Sequence, residues 1–190
     1  MFRLTSFFAE SKTDLYVLSY GQEGDKPPRV RETYAMAESL VDLAISTSQV
    51  PKEKIVAVGH SLGGWMAMHL AATQRVGCVV VAGTGTNVLD AASVLLPASV
   101  SYTVSLRPNE DARLLDNVAR AKQVDVPTLV LGSKADRTMP EEFSTRIFAN
   151  LKSQTNSKLF ISDATPHSAY FRDPEIERIT ASFLREKCDA

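Results

Sequence analysis

Three residues in this 190-residue sequence have side chains suited to nucleophilic chemistry, and each follows a similar apolar stretch. Ser61 lies in VAVGHSLGGWMA, residues 57–68, where an apolar run meets a Gly-His-Ser-Leu-Gly turn and a second apolar run follows. Asp136 lies beyond PTLVLGSKA, and His167 beyond KLFISDATP. A serine hydroxyl is a weak nucleophile at neutral pH. It needs a base within hydrogen-bond reach, and usually a carboxylate to orient that base. Spacing does not establish such reach, and other assignments stand beside this one. Ser61 could be a plain turn serine, and Asp136 could cap a turn while Asp125 or Asp163 serves as the acid. Among the three histidines, His60 adjoins the serine and is expected to point away from it, while His69 falls two turns into the following helix.

The surrounding elements must bring these residues to one place. Leu15–Tyr20 reads as a short strand, followed by a Gly- and Pro-rich loop. Residues 30–46 carry Tyr34, Ala37, Leu40, Val41, Ala44 and Ile45 at the spacing of one helical stripe. Strands are expected at 55–58, 76–82, 127–131 and 158–161, and further helices at 62–72 and 174–184. The run VGCVVVA is nearly all apolar, as a strand covered on both faces of a parallel sheet should be. Alternating strands and helices predict an α/β domain, a mostly parallel sheet with helices on both faces. Right-handed crossovers then gather the strand ends along one edge, where open α/β sheets bind ligands. Ser61, Asp136 and His167 all follow carboxyl ends of expected strands. Gly59 and Gly63 remove the Cβ atoms that a sharp strand-to-helix reversal would crowd, and Gly64 permits close approach of the helix to its neighbours. A helix starting at Leu62 aims unpaired N–H groups at negative charge developing near Ser61.

Length and composition predict one domain spanning 1–190, with residues 84–125 either a small cap over the carboxyl edge or a crossover helix with a long loop. The formal net charge of −1 supplies no field that would draw the chain to nucleic acid, so a small neutral substrate fits better. Cys78 and Cys188 match neither a zinc spacing nor a disulfide framework and read as free thiols. The amino terminus lacks the pattern of a signal peptide, and no run reaches the roughly 18 apolar residues of a membrane span. The expectation is a cytoplasmic protein.

GHSLG matches the Gly-x-Ser-x-Gly nucleophile elbow of the α/β-hydrolase superfamily, and the order Ser61, Asp136, His167 matches that superfamily's order. LYVLSYGQEG and PTLVLGSKAD resemble its lipase, esterase and serine-aminopeptidase-like branch. The resemblance implies a truncated three-layer α/β-hydrolase sandwich and an acyl-enzyme hydrolase without metal or organic cofactor. Ser61 would attack an ester, thioester or amide carbonyl, with His167 as base and acid and Asp136 fixing the imidazole. Met66, Val88, Leu89, Leu95, Leu96 and Phe171 are candidate walls of the acyl pocket, and equally good core residues.

The resemblance covers most of residues 3–185 and begins partway through the superfamily's domain. The strand whose following loop supplies one oxyanion N–H has no counterpart here. Leu62 N–H is then one donor, and Gly21 is the candidate for the second. Losing one such donor typically costs about 3 to 4 kcal/mol of transition-state stabilisation. A weak or inactive binding and regulatory relative, or an incomplete form of a longer hydrolase, is therefore the competing expectation. An exposed sheet edge in such a chain would favour a homodimer.

Overall fold

A computed structural model describes residues 13–19, 29–96 and 105–188. Its centre is a four-stranded parallel sheet in the order β1-β2-β3-β4, comprising β1 (Val56–His60), β2 (Cys78–Ala82), β3 (Thr128–Ser133) and β4 (Lys158–Ser162). Each strand pairs with its neighbour in the chain. Val58 lies opposite Val80, Val81 opposite Val130, and Leu131 opposite Phe160.

The apolar run in β2 is explained by its position, since all five of its residues have no exposed surface. Successive side chains point to opposite faces of a strand. Val79 and Val81, with Val130, enter a core built with Tyr34, Trp65 and Ile147. Val80 and Ala82, with Leu129 and Leu131, enter a second core with Ile176 and Phe183. The first core joins the sheet to helices α1 (Val30–Ser48), α2 (Leu62–Ala72), α4 (Asn117–Ala121) and α5 (Glu141–Ala149). The second is covered by α6 (Pro174–Lys187). Right-handed crossovers between consecutive strands place the connecting helices on one face, which leaves the opposite face to α6.

The expected α/β architecture is present, and α2 spans the expected residues. Helices α1 and α6 run two and three residues beyond their expected ends at Ser46 and Leu184. The apolar face expected of α6, Ile176, Ile179, Phe183 and Leu184, is buried. One strand is corrected: residues 15–19 of the Leu15–Tyr20 stretch belong to no ladder, and Tyr20 lies outside the described residues. The segment instead follows the end of α1, where Tyr16 Oη donates to Ser48 Oγ at 2.9 Å and Ser48 Oγ donates to Asp14 Oδ2 at 2.6 Å. Leu18 packs inward while Leu15 and Val17 are exposed. Alternating hydrophobicity therefore reports a half-buried segment here, with no partner strand among the described residues.

The thiols are a second correction. Cys78 and Cys188 form a disulfide, because α6 returns across the sheet face that carries Cys78 and delivers Cys188 beside it. Within residues 84–125, α3 (Val88–Leu95) is capped by Asn87, and α4 takes its place in the helical layer between α2 and α5. Arg146 of α5 pairs with Asp90 of α3 at 2.7 Å. Among the described residues, no helix is long and apolar enough to cross a membrane.

Candidate active site

The reversal from β1 into α2 occurs within one residue. Ser61 has φ 53° and ψ −118°, the dihedrals of the first central residue of a type II′ turn, a position favourable to glycine and strained for serine. Its N–H donates to Ala82 O at 3.0 Å, extending the β1–β2 ladder to the turn. A Cβ at Gly59 would lie 2.3 Å from the carbonyl oxygen of Gly63, and one at Gly64 would lie 2.4 Å from Thr84 Cβ. The glycines let helix and strand approach as the sequence predicts.

Two further strand ends, those of β3 and β4, supply polar groups around this turn. His167 opens a 3-10 turn (His167–Arg172) beyond β4, and its Nε2 lies 3.1 Å from Ser61 Oγ. Its Nδ1 lies 2.8 Å from Asp136 Oδ2 beyond β3. Nδ1 carries the proton in the tautomer that suits a carboxylate partner, leaving the Nε2 lone pair to accept from the Ser61 hydroxyl. Asp136 is buried and accepts from four donors. Thr138 N–H and Met139 N–H reach Oδ1 at 2.9 and 2.8 Å, while Tyr170 Oη reaches Oδ2 at 3.1 Å beside the imidazole. Burial pushes this carboxyl up, but the hydrogen bonds from His167 and the two backbone N–H groups outweigh it and hold the group below the usual carboxylate range. Burial, reinforced by Asp136, pushes the Tyr170 phenol well up, so it stays a proton donor.

The structure thus brings Ser61, His167 and Asp136 into one hydrogen-bonded line. The alternative acids lie elsewhere: Asp125 pairs with Lys152 at 2.5 Å and Asp163 with Lys134 at 2.6 Å, all four exposed. His69 stacks on Tyr34 with ring centroids 4.1 Å apart and bonds Glu38 at 2.8 Å. Leu62 begins α2, where its N–H has no acceptor within the helix. Gly21 lies outside the described residues. Of the pocket candidates, Met66 is corrected: it is 5% exposed and packs in the core, because its position on α2 faces inward. Val88, Leu89 and Leu95 lie on α3, and Leu96 directly follows it. Leu89 and Leu95 are exposed. Phe171 is half-buried, edge-on to His60 with centroids 6.3 Å apart.

Three contributors escaped the sequence reading. His60, expected to point away from Ser61, lies with its ring centroid 4.7 Å from that of His167, and its Nε2 donates to the backbone carbonyl of His167 at 2.8 Å and so ties β1 to the turn. Burial, with His167 nearby, holds its imidazole below the ordinary range. Tyr170 is the second. The third is Gly83, at φ 48°, where a Cβ would lie 2.7 Å from Tyr170 Cε2 and 3.0 Å from Asp136 Oδ2. Signals existed: a glycine ends the β2 run, and Tyr170 stands three residues after His167, one turn of a 3-10 helix.

A sequence model of the prolyl oligopeptidase family matches residues 32–188. The chain belongs to this family. Membership in the prolyl oligopeptidase family places it within the α/β-hydrolase superfamily. Solved structures similar to this family member include the acylaminoacyl peptidase of Pyrococcus horikoshii, at 18% identity and TM-score 0.65 over 83% of this chain and 28% of that one. The acetyl xylan esterase of Paenibacillus sp. R4 matches at 15% identity and TM-score 0.69, over 89% of this chain and 60% of that one. The monoacylglycerol lipase of Paleococcus ferrophilus matches at 20% identity and TM-score 0.59, over 83% and 75%. At these identities the likeness is one of fold. The chain spans just over a quarter of the length of the Pyrococcus peptidase.

Proposed function

We propose that the chain is a serine hydrolase acting on a carboxylic ester or related acyl bond of a small substrate. The observation that carries this reading is the line from Ser61 Oγ through His167 to Asp136, at 3.1 and 2.8 Å, on a strained elbow. His167 Nε2 takes the Ser61 proton as Oγ attacks the carbonyl carbon, and Asp136 stabilises the imidazolium that forms. The carbonyl oxygen becomes an oxyanion facing the Leu62 N–H. His167 then gives the proton to the leaving group, and Ser61 keeps the acyl group. Water, deprotonated by His167, attacks the acyl carbon; the bond to Ser61 Oγ breaks, His167 returns the proton to that oxygen, and the acid is released. Leu89, Leu95, Leu96 and Phe171 are assigned to the acyl side of the site, with α3 as its outer wall. The solved structures of similar fold include a peptidase, an esterase and a lipase, which fits an acyl substrate without selecting the leaving group.

Intact-mass analysis after exposure to a fluorophosphonate probe tests the reading, with size-exclusion chromatography on the same samples. Wild type is expected to gain one adduct that Ser61→Ala lacks. A folded, monodisperse wild type that gains none would overturn catalysis and favour a binding role on a hydrolase fold.

A further inference from the structure

We propose that Tyr170 is a positioning residue that sets how strongly Asp136 holds His167, an inference that rests on the proposed reaction. His167 and Tyr170 stand three residues apart on a 3-10 turn, the spacing at which side chains eclipse, and both reach the same oxygen. Asp136 Oδ2 accepts from His167 Nδ1 at 2.8 Å and from Tyr170 Oη at 3.1 Å. Oδ1 is already occupied by two backbone N–H groups. The phenol therefore completes a four-donor cage and shares the negative charge that faces the imidazole.

Its placement is built into the surrounding strands. Tyr170 is 1% exposed, and its ring occupies the space that a side chain at Gly83 would fill. No solvent competes for the hydroxyl. The groups facing His167 come from every neighbouring element: Ser61 from the elbow, His60 from β1, Asp136 from beyond β3, and Tyr170 from its own turn. Among these, Tyr170 reaches His167 through the carboxylate, without a direct hydrogen bond to the imidazole. With its proton withdrawn, the carboxylate charge rests on fewer donors and holds the imidazolium more tightly.

Tyr170→Phe removes the hydroxyl and keeps the ring against Gly83. Two measurements on the full chain report the result. The His167 Nδ1–H proton, identified by its loss in Asp136→Asn, is expected to move further downfield in the ¹H NMR spectrum of Y170F. The acid limb of fluorophosphonate labelling against pH is expected to move up by about half a pH unit. A purely structural tyrosine would lower thermal stability and leave both in place, and that result would overturn the proposal. If wild type is not labelled at Ser61, the hydrolase reading fails separately. The proton resonance then decides the role of Tyr170 by itself: downfield movement supports it, and an unchanged position refutes it.

Discussion

Replacing Ser61 by glycine should yield a more stable protein than replacing it by alanine. Both variants lose the hydroxyl and its bond to His167, so their difference isolates the backbone. Ser61 sits at φ 53° and ψ −118°, which an L-residue with a Cβ occupies at a cost of about 1–3 kcal/mol. Glycine occupies it freely but loses about 0.5–1 kcal/mol more conformational entropy on folding. The balance favours Ser61→Gly over Ser61→Ala by about 1 kcal/mol, or roughly 2–4 °C in Tm for a chain of this size. Urea melts of the two variants at neutral pH measure it, with intact-mass labelling to show that both have lost the reactive group. Equal stability, or a less stable glycine variant, would refute the idea that the elbow stores strain. The strain would be the energetic cost of lifting Ser61 clear of the sheet toward His167.

Other perturbations probe the same neighbourhood. Asp136 is held below its ordinary value, so its contribution to stability is present above the unfolded-state value near 4 and is lost as pH falls through the folded one. Urea melts from pH 7 downward should show this slope in wild type, and Asp136→Asn should flatten it. Gly83→Ala combines a positive φ with a Cβ 2.7 Å from Tyr170, and should cost about 3 kcal/mol by thermal melt while slowing Ser61 labelling. His60→Leu removes the donor to the His167 carbonyl, worth about 1 kcal/mol, and should slow labelling about fivefold. Cys188→Ser opens the link to Cys78 and should lower stability by about 2–4 kcal/mol, while thiol titration of native wild type should find neither cysteine reactive.

The elbow was legible because several local requirements coincide in twelve residues: an apolar strand, glycines where Cβ atoms would collide, and a helix start at Leu62. The strands β2 and β3 were legible for a simpler reason, since burial on both faces leaves them almost no polar residues. Leu15–Tyr20 misled because alternation marks a half-buried segment, while strand identity depends on a hydrogen-bonding partner that hydropathy does not encode. The disulfide was hidden by distance in sequence: only the packing of α6 on the face carrying Cys78 brings Cys188 to it. Met66 was misplaced because the position of a residue near the carboxyl edge does not say which side of α2 it faces. His60 and Tyr170 were missed because their contacts, one to a backbone carbonyl and one to a carboxylate 34 residues away, are created by tertiary structure.

The order β1-β2-β3-β4 also bears on how the molecule assembles in time. Each strand can dock onto the one made just before it, so the sheet can grow by short closures, and β1, α2 and β2 can form a local nucleus around the elbow. The bond between Ser61 and His167 closes 106 residues of chain and requires β4 to have docked. During refolding, helix formation and burial of Trp65 would therefore precede reactivity of Ser61. The delay between fluorescence recovery and probe labelling would time the arrival of the fourth strand.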